Sequence, residues 1–123
     1  MFVIEANREK RLLVISYSQR VTAEEARAAG VRVRELLPHF KPGFRVLTDM
    51  RWLASMEAAA APQIAEIMKA VAAAKVAMIV RVIPDPSKDI GFNILSQFHY
   101  GDDVKIFTFE SLADALPVLC APE

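Results

Sequence analysis

The sequence predicts an α/β domain on a single mixed, mostly parallel five-stranded sheet, with about four helices in the order β-β-α-β-α-β-α-β-α. Three observations carry this expectation. Two apolar stretches near the N-terminus, Phe2 to Ala6 and Arg11 to Ser18, are separated by Asn7-Arg8-Glu9-Lys10, a polar break of hairpin length. Beyond them, segments of helical apolar spacing alternate with short apolar runs, an order that requires crossover connections between parallel strands. Val76 to Ile83 is apolar everywhere except Arg81, as expected of a strand covered on both faces.

Each element has a local cause. Phe2, Ile4 and Ala6 alternate with Val3 and Glu5, the period of a half-buried strand, and Leu12 to Ile15 form a denser second one. Thr22-Ala23-Glu24-Glu25 matches a capping box: the Thr22 hydroxyl accepts from the Glu25 amide and the Glu25 carboxylate returns to the Thr22 amide. The helix that follows carries Ala26, Ala29, Val33, Leu36 and Leu37 on one face and ends at Pro38 and Pro42. Gly30 inside it costs about 1 kcal/mol relative to Ala, which suggests close packing on a sheet.

Gly43 to Met50 is the expected third strand, with a loop over 51–55. The next helix, with Ile64, Ile67, Met68 and Val71 as its stripe, begins either at Met56 capped by Ser55 or at Pro62. After the fourth strand, Pro84-Asp85-Pro86 forces a turn. A helix with Ile90, Ile94, Leu95 and Phe98 follows, capped by Ser87 or Asp89 and stopped by Gly101. Val104 to Phe109 is the fifth strand. Ser111 opens a last helix that ends near Leu119 and is interrupted or kinked at Pro117.

Composition narrows the function. At 123 residues the chain reads as one domain, 1–123, without repeat or linker. Its apolar fraction of 54% supplies surface enough for a core, which argues against disorder. Fifteen basic residues balance fifteen acidic ones, and no basic stripe is apparent, so no nucleic-acid partner is expected. Cys120 is the only cysteine, which excludes an internal disulfide and fits a reducing, cytoplasmic setting. Glu5 breaks the N-terminal apolar run, unlike a signal peptide, and no charge-free stretch is long enough to span a bilayer. His39 and His99 stand apart, without clustered carboxylates, so neither a metal nor a cofactor is expected.

Three stretches carry a family resemblance: Ile15-Ser16-Tyr17-Ser18 through Val21-Thr22-Ala23-Glu24-Glu25, Val46-Leu47-Thr48-Asp49, and Phe109-Glu110-Ser111-Leu112-Ala113-Asp114-Ala115-Leu116. Together with the element order they resemble the STAS domain of bacterial anti-sigma-factor antagonists and sulfate transporters, and the broader STAS-like and Sec14-like group. The resemblance implies a small regulatory fold. Members that act as phosphorylation switches carry Asp-Ser-Ser-Gly at the start of the helix after the third strand. The matching stretch here is Leu53-Ala54-Ser55-Met56-Glu57-Ala58, which lacks the preceding Asp and the following Gly. Ser55 is therefore either a phosphoacceptor at a helix N-terminus or a plain N-cap.

Ligands of open α/β sheets gather beyond the carboxyl ends of the strands. The third strand empties there into Asp49, Arg51 and Trp52, and the fourth carries Arg81 into Asp85. Two readings stand: these residues form one rim for a small ligand or a partner's charges, or Asp49 and Arg81 pair with each other or with Arg51 and Asp85 and only fix loops. Trp52 is either a contact for another protein or a lid over the core. With no nucleophile and base recognisable together, the expected function is non-enzymatic: a regulatory or protein-interaction module, with self-association into a homodimer as a further option. The alternative is a binder of a small polar or amphipathic ligand at that strand edge.

Overall fold

A computed structural model describes residues 1–83, 85, 100 and 103–122. Its strands are β1 (Phe2–Asn7), β2 (Leu12–Val21), β3 (Arg45–Met56), β4 (Met78–Val82) and β5 (Lys105–Phe109). They lie side by side in chain order, β1 antiparallel to β2 and every later pair parallel. The described α-helices are α1 (Ala23–Leu36), α2 (Ala61–Ala73) and α3 (Leu112–Leu119). Short 3₁₀ turns at Leu37–His39 and Ala58–Ala60 follow α1 and precede α2. The expected mixed sheet is present. The helix expected over Ile90 to Phe98, with its caps Ser87 or Asp89, lies outside the described residues.

Local chemistry sets most boundaries. The hairpin closes through the Lys10 amide on Asn7 Oδ1 at 3.0 Å and the Arg11 amide on the Arg8 carbonyl at 3.1 Å. Thr22 caps α1 as expected, its hydroxyl accepting from the Glu25 amide at 3.1 Å. The reciprocal arm differs: the Glu25 carboxylate stands 2.8 Å from the Met1 amine. Glu57 supplies a cap that sequence reading missed, its carboxylate accepting from the Ala23 amide at 3.5 Å. Ser111 caps α3 by accepting from the Asp114 amide. The helix is not interrupted at Pro117. Pro117 sits inside a helix of eight residues, and its missing N–H leaves the Ala113 carbonyl, in the first turn, without its i+4 donor.

The main correction concerns β3, expected to end at Met50 and observed to run to Met56. Its last residues pair with β2 as far as Val21, through two register irregularities, and Leu53 is buried in the core. Trp52, Ala54 and Ser55 resemble a loop in sequence because they are the exposed members of this extension. Ser55 is therefore a strand residue opposite Arg20, not a helix cap. The α2 helix starts at Ala61 with Pro62 in its first turn, and no side chain caps it.

Two apolar layers flank the sheet. On one face Leu13, Ile15, Tyr17, Val46 and Ile79 pack against Ala26, Ala29 and Val33 of α1 and Ile64, Ile67 and Val71 of α2. On the other, Leu47, Val80 and Val82 pack against Ala115 and Leu119 of α3. Successive crossovers that step in one direction along a sheet place their helices on the same face, so α1 and α2 lie together and α3 must return to cover the other. The nearly buried Arg45 ties that return in place, donating from Nη1 to the Leu119 carbonyl at 2.7 Å. A cation at a helix C-terminus also favours the local dipole.

Candidate functional site

The parallel register decides which expected residues meet. Thr48 is in register with Arg81, and Asp49 with Val82. Registered neighbours in a parallel pair project to the same face, and consecutive residues to opposite faces. Arg81 consequently faces the α1–α2 layer with Thr48, while Asp49 faces the α3 layer with Val82. The single rim expected around Asp49, Arg51, Trp52, Arg81 and Asp85 divides in two. Asp85 is exposed past the end of β4.

Asp49, Arg51 and Trp52 do come together. The Asp49 carboxylate accepts from Arg51 Nε at 3.0 Å, from Arg51 Nη2 at 2.9 Å and from the Arg51 amide at 3.1 Å. Such forked, charge-assisted pairing fixes both groups. Burial raises the Asp49 carboxyl pKa, but the hydrogen bonds and charge of Arg51 outweigh it and leave the pKa below the ordinary value; the same contact raises that of Arg51. Asp49 is thus held ionised and fixed in place by Arg51.

The pair sits at a β-bulge. Between Ser16–Asp49 and Ser18–Trp52 the register advances two residues on β2 and three on β3. Bulges re-aim side chains locally. Trp52 is 70% exposed, which removes its reading as a lid over the core. The Arg51 guanidinium carbon stands 5.8 Å from the indole centroid, within cation–π range. The result is an apolar ring held beside a fixed cation on an ordered strand.

Arg81 belongs to an arrangement that sequence reading missed. It is 3% exposed and lines a cavity of about 20 Å³ with Tyr17, Thr48, Ile67 and Tyr100, among others. Burial pushes both phenol pKa values well up, against the opposing pull of the Arg81 charge, so both tyrosines are neutral across the physiological range. The cavity has room for about one water. The signal available in sequence was an arginine inside an otherwise apolar run, which marks a buried charge without naming its neighbours.

The start of α2, where a phosphorylation switch was sought, reads Ala58-Ala59-Ala60-Ala61-Pro62 and offers no hydroxyl. Ser55, the nearest one upstream, is exposed on β3. Among the described residues, no three metal-ligating side chains gather and no helix is long and apolar enough to cross a membrane.

No family model matches the sequence, and no curated protein matches it. Solved structures do. An uncharacterised protein of the DUF3478 family from Shewanella loihica, described as having a SpoIIAA-like fold, superposes with a TM-score of 0.70 at 16% identity, over 98% of this chain and 93% of that one. The anti-sigma factor antagonist SpoIIAA in its unphosphorylated form gives 0.67 at 11% identity, over 99% and 100% of the two chains. The phosphorylated form of the Bacillus cell fate determinant SpoIIAA gives 0.62 at 11%, over 97% and 99%. These identities speak to fold. The fold of this chain is thus similar to that of SpoIIAA.

Proposed function

We propose that this chain is a non-enzymatic regulatory module of the cytoplasm that acts by binding another protein through the Trp52–Arg51 surface of β3. The observation that carries this reading is the exposure of Trp52, 70% on a hydrogen-bonded strand with Arg51 beside its ring. Tryptophan and arginine are the residues most enriched at binding hot spots. A ring already ordered loses little rotamer freedom on binding. The similarity of the fold to an anti-sigma factor antagonist supports a regulatory role. The mode of control differs from a serine switch at the start of α2, because that position is built of alanines and a proline.

Affinity capture from the native host, with quantitative mass spectrometry, tests the reading using wild type, Trp52→Ala and Phe107→Ala. Phe107 is a second exposed aromatic, on the edge strand β5, two places from β3 in the sheet. The expected result is a partner retained by wild type and Phe107→Ala but depleted at least tenfold by Trp52→Ala. A photo-crosslinking residue at position 52 should then join that partner directly. Equal recovery by wild type and Trp52→Ala would refute the assignment, provided their thermal midpoints agree.

A further inference from the structure

The other end of the parallel strands carries a second feature, unrelated to Trp52. We propose that it is a binding site for a small dianion of the phosphate-monoester class. Two cavities of about 380 and 510 Å³ share Arg11 and Arg45 in their walls. Lys10 completes the cationic wall of the first and Lys105 that of the second, and Glu9 is the one carboxylate among the described lining residues. In a chain of zero formal net charge this is, among the described residues, a local excess of positive charge, gathered by the fold from the β1–β2 hairpin, the start of β3 and the start of β5. Among the described residues, Lys10, Arg45 and Lys105 take part in no ion pair. Arg45 is oriented by the Val118 and Leu119 carbonyls, which fix its guanidinium without cancelling its charge.

Two departures from local backbone preference converge on Arg11. Its φ of 55° is left-handed, a region favoured by glycine and asparagine and uncommon for a long side chain. The Arg11 Nη2 donates to the Pro42 carbonyl at 2.6 Å, directly over Gly43. Gly43 has a φ of 94°, and a Cβ there would stand 2.8 Å from that same Nη2. Both residues adopt unfavourable or glycine-only geometry, and the product is a guanidinium held at the cavity wall. Gln19 and Lys75 share the left-handed φ, so this geometry fixes the place of Arg11 without by itself marking a site. The cavity sizes fall within the small-molecule range of about 300–1,000 Å³. Arginine forks with nearby lysine point charges suit a phosphate, which takes more donors than a single carboxylate can.

The test is titration of the ¹⁵N-labelled protein with inorganic phosphate and with phenyl phosphate, at ionic strength held constant with chloride. Saturable amide shifts are expected at Leu12, Gly43, Arg45 and Ala121, with affinity at least tenfold weaker in the Arg11→Gln/Lys105→Gln double variant. Arg45 is left intact because it secures the end of α3. Should Arg11→Gln disturb the hairpin, Lys105→Gln alone decides, since Lys105 is exposed; a loss of threefold or more is expected. Shifts that chloride reproduces, that spread equally to Arg27 and Arg32 on α1, or that survive the Lys105 variant unchanged overturn the proposal. Trp52→Ala should leave this titration untouched, which separates its outcome from that of the protein-binding reading.

Discussion

Asp49 and Arg51 illustrate how far single residues could be understood in advance. That an acid leaving a strand would meet a nearby arginine was one of two open readings, and the bulge between Asp49 and Trp52 sets the local geometry in which the two side chains meet. Arg81, equally close in the argument, lies through the sheet from Asp49 because its register partner is Thr48. The pairing has a measurable consequence. The folded Asp49 carboxyl is depressed below its unfolded value of 3.8, so its stabilising contribution is complete above that pH and is lost as pH falls through the folded value. In urea titrations, Asp49→Asn should be less stable than wild type by about 1–2 kcal/mol at pH 7. The gap should narrow steadily below pH 4; a gap independent of pH would mean that the carboxylate charge is immaterial.

At the level of elements, helices were easier to anticipate than strand ends. The Thr22 cap and the apolar stripe of α1 lie within a few residues of one another, so local chemistry specifies them. The extension of β3 to Met56 depends on pairing with residues some thirty-five positions earlier, across a bulge that shifts the alternation. No local pattern announces it. Gly30 shows the same limit: close packing was expected against the sheet, yet its nearest foreign neighbour is Ile67 of α2. A Cβ at Gly30 would lie 3.6 Å from Ile67 Cγ1 and from Arg34 Nη1, ordinary contact distances. Gly30→Ala should therefore stabilise the protein by about 0.5–1 kcal/mol, through helix propensity alone. A destabilised variant in chemical denaturation would show that α1 and α2 pack more tightly than these distances allow.

Over the whole molecule, stability should be graded from the centre of the sheet outward. Leu13, Val46, Ile79 and Val80 on β2, β3 and β4 are essentially inaccessible, whereas β1 and β5 each have a strand neighbour on one side only. Amide hydrogen exchange should be slowest in β2, β3 and β4 and faster in β1 and β5. Equal protection of β1 and β4 would argue for a sheet edge covered in solution, as in a homodimer.

The amino-acid pattern alone determined the class of fold, because hairpin, caps and apolar periods are short-range properties and alternating elements leave few topologies. It also singled out Asp49, Arg51, Trp52 and Arg81 as residues of interest. Which of them share a surface was decided only by register, a long-range property with a period of two, for which a shift of one residue exchanges the two faces of a sheet. The cation cluster at the opposite end had no sequence signature, since Lys10, Arg11, Arg45 and Lys105 become neighbours only when three separate strands align.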